Sequence, residues 1–168
     1  MAEPLPPLQV SRWFNVDTPL RLEMLRGRVV LIHAFQMLCP GCVLHGLPQV
    51  QRIARELAGT PLSVIGLHTV FEHHAVMGPE ALAVFLAEHR YTFPVGIDAP
   101  GPEGDPLPRT MRTCGLEGTP TTLLIDARGR LRHRHFGVEE DLMLGVRLGY
   151  LLQEADAPPA ARGAGAPL

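Results

Sequence analysis

Residues 29–42, Val-Val-Leu-Ile-His-Ala-Phe-Gln-Met-Leu-Cys-Pro-Gly-Cys, decide the fold. Apart from His33, Val29–Phe35 is apolar and rich in β-branched residues, the pattern of a strand buried on both faces. Directly after Cys42, Val43–Leu57 spaces Leu44, Leu47, Val50, Ile53, Ala54 and Leu57 at helical intervals and ends near Gly59. The Cys39-Pro40-Gly41-Cys42 motif therefore sits between a buried strand and an amphipathic helix. In that position Cys39 meets the helix N-terminus, where free N–H groups and the positive dipole end favour a thiolate. A free thiol of pKa about 8.5 is only a few per cent ionised at pH 7, so this placement decides reactivity. Cys42 lies one turn further on, less exposed, and is expected to be the resolving thiol while Cys39 is the nucleophile.

Outward from this unit the periodicity keeps changing type. Leu62–Leu67 reads as a second buried strand, and Pro79–Arg90 as a helix with Leu82, Phe85 and Leu86 inward. Phe93–Ile97 is a short strand, Gly101–Pro108 a loop and Arg109–Cys114 a short helix. Thr121–Asp126 and Leu131–Phe136 form a hairpin through Ala-Arg-Gly, and Glu139–Gln153 closes with a helix. This alternation predicts an α/β fold with one core: a mainly parallel sheet flanked by helices, the late hairpin supplying an antiparallel edge. The Pro/Ala/Gly-rich segments 1–8 and 155–168 read as a mobile N-terminal tail and a disordered C-terminal tail around a single domain, 9–154.

Composition removes several function classes. The chain has 168 residues, and all 15 basic residues are Arg. Without Lys there is no Schiff-base chemistry, no lysine general base and no Walker A loop. A net charge of −2 leaves no electrostatic footprint for nucleic acid or anionic lipid. No acidic or basic residue interrupts the stretch between Arg28 and Arg52, but His33, Gln36, Pro40, Gly41, His45, Pro48 and Gln49 argue against a membrane span. The start lacks the pattern of a secretory signal, so a cytoplasmic location is expected. Three cysteines, an odd number, do not make a secreted disulfide scaffold. Cys-x-x-Cys then means redox chemistry or half of a metal site. No second Cys-x-x-Cys exists; His45, His68, His73 or His74 would have to complete a copper or zinc site. The stretch His68–His74 is otherwise expected to be a solvated loop, and Cys114 a small buried hydrophobe.

Three blocks resemble the thioredoxin superfamily, in its TlpA-like and redoxin branch, over about residues 10–150. They are Leu22–Leu31 leading through Phe35 to Cys39–Cys42; Val64-Ile-Gly-Leu67 followed by a helix and Phe93-Pro-Val95; and Gly118-Thr-Pro-Thr-Thr-Leu-Leu-Ile-Asp126. The resemblance implies a thioredoxin-like fold with a helix–strand insertion. It makes Pro120 a cis-proline facing the dithiol and Thr119 a backbone partner for a substrate chain, with Leu38, Pro40 and Gly41 at the substrate-facing lip. It also implies a thiol–disulfide oxidoreductase acting on protein or small disulfides with a reducing or oxidising thiol partner. Such a protein needs no bound cofactor or metal and is expected as a monomer or weak dimer. The neighbouring peroxiredoxins carry Pro-x-x-x-Thr/Ser-x-x-Cys; here those positions are Ile32 and Gln36, so a redoxin-type peroxidase is the lesser alternative. Copper-delivery relatives use Cys-x-x-x-Cys, which counts against a metal carrier.

The departures are as informative. Leu38 stands where the superfamily usually has Trp, His33 where thioredoxins bury an Asp, and His45 where some relatives carry Glu. His33 is therefore expected beneath the dithiol, neutral, accepting the Cys42 proton, and His45 is expected to tune the pair. Pro48 lies six residues after Cys42 rather than five. One extra residue, Gly46, has to be absorbed as a bulge in the helix.

Overall fold

The computed structural model describes residues 4–156. Six strands form one sheet: β1 (Val10–Phe14), β2 (Val29–Phe35), β3 (Leu62–His68), β4 (Val95–Asp98), β5 (Thr121–Ile125) and β6 (Leu131–Phe136). The helices are α1 (Leu47–Glu56), α2 (Pro79–Glu88), α3 (Arg109–Thr113) and α4 (Asp141–Asp156). Strand order is β1-β4-β3-β2-β5-β6. Strand β2 sits near the centre, and every one of its residues, His33 included, is buried. Alternation then splits it between two cores. Val29, Leu31 and Phe35 pack with Leu47, Val50, Leu82, Leu144 and Leu148, while Val30, Ile32 and Ala34 pack with Leu67, Met111, Leu123 and Ile125.

The mixed sheet with flanking helices agrees with the sequence reading, but it is not mainly parallel. Only β2–β3 and β3–β4 pair in parallel; β1–β4, β2–β5 and β5–β6 are antiparallel. The physical reason lies in the connections. The segment before β5 returns it beside β2 in the opposite sense, so the hairpin occupies the middle of the sheet as well as its edge. Strand β1 was not anticipated: Ser11 and Arg12 break its apolar alternation, and it is ordered by docking antiparallel on the short β4. Part of the segment expected as a mobile tail is packed. Leu5 is buried in the second core and Pro4 bridges Arg130, because the apolar side chain between Pro4 and Pro6 packs on that face of the sheet. Segment 1–3 and segment 157–168, where most of the expected disordered tail falls, lie outside the described residues. Ala155 and Asp156 continue α4.

The expected helical bulge is present as a π turn, Cys42–Gly46, continuous with α1 and preceded by helical residues 40 and 41. The Leu47 N–H bonds to the Cys42 carbonyl, five residues back. Pro48 cannot donate and would crowd the carbonyl four residues back in a regular helix; the wider turn relieves this. The same turn explains a failed expectation. Leu44 is three residues before the buried Leu47, but the extra residue rotates it out of phase, leaving it 68% exposed, while Cys42 points inward and is fully buried. Among the described residues no helix is long and apolar enough to cross a membrane.

Candidate functional site

The site forms where the end of β2, the start of the helix and the loop before β5 converge. Cys39 precedes the first helical residue and is half-buried; Cys42 is buried. The Cys42 backbone N–H donates to Cys39 Sγ at 3.3 Å, so a helix-terminal donor points at the more exposed sulfur. The two sulfurs lie 2.6 Å apart, with the Cys42 thiol donating. Burial first, and then the hydrogen-bonded Cys39 sulfur, push the Cys42 thiol up to about 12. The chain thus gives its two cysteines unlike environments.

The peptide bond Thr119–Pro120 is cis. Cys39 Sγ donates to the Thr119 carbonyl at 3.6 Å, which sets this loop against the dithiol as the resemblance implied. Pro120 is buried, and a Cβ at Gly41 would come within 3.3 Å of Pro120 Cδ, so glycine lets the Cys-Pro-Gly-Cys turn lie close to the proline. Leu38 and Pro40 are exposed on the lip. Sequence reasoning missed the rest of the rim. Val138, half-exposed, faces Gly41, and Phe136, also half-exposed, covers Gly118. Leu44 and Val138 share one cleft of about 220 Å³ with His45, Glu139 and Asp141. No local motif marks Phe136 and Val138; only the hairpin return after β5 brings them to Gly118 and Gly41.

His33 lies on the helix-facing side of β2 and is 1% exposed. Its Nδ1 is 3.3 Å from Thr122 Oγ1, across the β2–β5 pairing, and its Nε2 has no hydrogen-bond partner. Burial drives it down to about 4, so it is neutral. It lies under the π turn that begins at Cys42, but no direct hydrogen bond joins it to either sulfur. His45 is exposed in the adjoining cleft and likewise makes no bond to the sulfurs.

The stretch His68–His74 is not uniformly the solvated loop expected. His68 and Thr69 are fully buried because His68 ends β3, where its Nε2 accepts the Met37 N–H at 3.4 Å beneath the active turn. Burial lowers His68 to about 4 as well. His73 and His74 are exposed. Among the described residues, neither sulfur falls in a group of three potential metal ligands. Cys114 is 4% exposed and packs in the second core, as expected.

No protein-family model matches the chain. Among curated proteins, DipZ of Mycobacterium bovis is 28% identical over 148 residues, covering 87% of this chain and 20% of DipZ. The thiol:disulfide interchange protein DsbE of Allochromatium vinosum is 27% identical over 135 residues, covering 80% of this chain and 66% of DsbE. The chain thus spans about one fifth of the length of the DipZ protein it matches. Among solved structures, a thioredoxin-like superfamily protein is 49% identical with a TM-score of 0.88, over 94% of this chain and 100% of that one. A thiol-disulfide isomerase from Corynebacterium glutamicum is 51% identical with a TM-score of 0.84, over 89% of this chain and 96% of that one. With a paired Cys-x-x-Cys at a helix start, a facing cis-proline and these relatives, the chain belongs to the thioredoxin-like superfamily.

Proposed function

We propose that the chain is a thiol–disulfide oxidoreductase that works through Cys39 and Cys42 on disulfides of polypeptide substrates. The observation that carries this reading is the asymmetry of the pair: a half-exposed sulfur receiving a helix-terminal N–H, beside a buried thiol held protonated. In the reducing direction the Cys39 thiolate attacks one substrate sulfur. A Cys39–substrate disulfide forms, the substrate S–S bond breaks, and one substrate thiolate leaves. Cys42 then gives up its proton and attacks Cys39 Sγ, releasing the second thiolate and leaving a Cys39–Cys42 disulfide. Two electrons pass from the dithiol to the substrate, and the reverse sequence oxidises a substrate dithiol.

His33 stands neutral beneath the π turn, in contact with Thr122 and bonded to neither sulfur, so the Cys42 proton passes to the released substrate thiolate. His45 acts from the cleft rim. The apolar rim of Leu38, Pro40, Leu44, Phe136 and Val138 around a small reactive opening suits a peptide segment, with Thr119 offering backbone hydrogen bonds to it. Insulin-disulfide reduction with a dithiol donor tests the reading. Wild type should accelerate precipitation well above the uncatalysed rate, and Cys39→Ser should show none; equal rates for the two would refute it.

A further inference from the structure

Glu139 is 6% exposed, and its carboxylate is only half used. Its Oε1 accepts from Arg147 Nε at 3.2 Å and lies 2.9 Å from His133 Nε2, whereas Oε2 is buried without a partner. A buried carboxylate oxygen without a donor is costly, so its retention needs a reason. Two residues apart on β6, His133 and His135 project from the same face of the strand, with ring centroids 6.2 Å apart and the planes nearly parallel. One donor atom from each of His133, His135 and Glu139 falls within 4.8 Å of the others.

We propose that His133, His135 and Glu139 bind a divalent first-row transition ion, with Zn²⁺ as the type. Two neutral imidazoles and one carboxylate are the donor set such ions take, leaving an open position for water. The unpartnered Oε2 would take the ion while Arg147 keeps Oε1 and so fixes the carboxylate, as outer-shell groups do at such centres. Three ligands then close the turn 137–139, whose Val138 forms part of the rim beside Gly41.

The test uses the untagged full chain carrying Cys39→Ser and Cys42→Ser, so that zinc cannot use the dithiol and failure of the redox reading leaves the result unaffected. Titration calorimetry with ZnCl₂ should give one saturable equivalent. Adding His135→Ala should weaken binding roughly tenfold or more and remove the zinc-induced rise in Tm. Glu139 is buried and its replacement risks misfolding; His135, only half-buried on the edge strand, keeps the test decisive. Absence of saturable binding, or unchanged binding in the His135→Ala protein, overturns the proposal.

Discussion

His33 lies directly under Gly46: a methyl group at Gly46 would come within 2.6 Å of His33 Cε1 and closer still to Nε2. The histidine that replaces the usual buried acid and the π turn above it thus occupy one shared volume. The extra helical residue places a glycine over the ring, and the ring fills the space that a side chain there would need.

This coupling predicts opposite signs for one substitution in two backgrounds. In an ordinary helix Gly→Ala stabilises by about 0.5–1 kcal/mol. Gly46→Ala should instead destabilise by about 1–3 kcal/mol through overpacking against the imidazole. In a His33→Ala background the same change should be neutral or stabilising. Urea unfolding of the four proteins measures the coupling, and an equal penalty in both backgrounds would remove it.

Much of this was legible in advance. The apolar run Val29–Phe35 marked its strand, the Gly-Thr-Pro block marked the facing loop, and the displaced Pro48 announced the helical insertion. Positions set by tertiary docking were not. Leu44 belonged to an inward stripe by spacing, and only the π turn rotates it out. Val138 and Phe136 carry no local signal, since the β5–β6 return is what brings them against Gly41 and Gly118. His68 read as a loop residue because nothing local shows that β3 runs one residue further into the core.

Two buried histidines predict acid sensitivity. His33 and His68 are each lowered from 6.5 to about 4 by burial. Between those values the unfolded chain binds protons that the folded chain refuses, so stability is complete above about pH 6.5 and falls as pH drops towards 4. The loss should be on the order of 3 kcal/mol per histidine. His33→Ala should roughly halve the slope of stability against pH in that window. A slope identical to wild type would show that His33 does not titrate on unfolding.

The unlike cysteines predict selective alkylation. Cys42 is pushed up to about 12, and burial also raises Cys114. Brief iodoacetamide treatment of the reduced protein at pH 8 should modify Cys39 alone, as read by peptide mass spectrometry. Comparable labelling of Cys42 would contradict the asymmetry on which the mechanism rests.

If the apolar rim holds a peptide, Val138→Asp should lower kcat/KM for insulin by about tenfold, equivalent to about 1.4 kcal/mol. Turnover of a small disulfide, which does not span the rim, should stay within about twofold. An equal loss for both substrates would mean that Val138 supports the dithiol itself rather than the substrate.

The most direct test of the central claim is trapping of the mixed disulfide with a protein substrate, read by non-reducing electrophoresis and mass spectrometry. With Cys39 as nucleophile and Cys42 as resolving thiol, Cys42→Ser should accumulate a covalent adduct through Cys39, while Cys39→Ser accumulates none. Accumulation by Cys39→Ser and not by Cys42→Ser would reverse the assignment and contradict the mechanism.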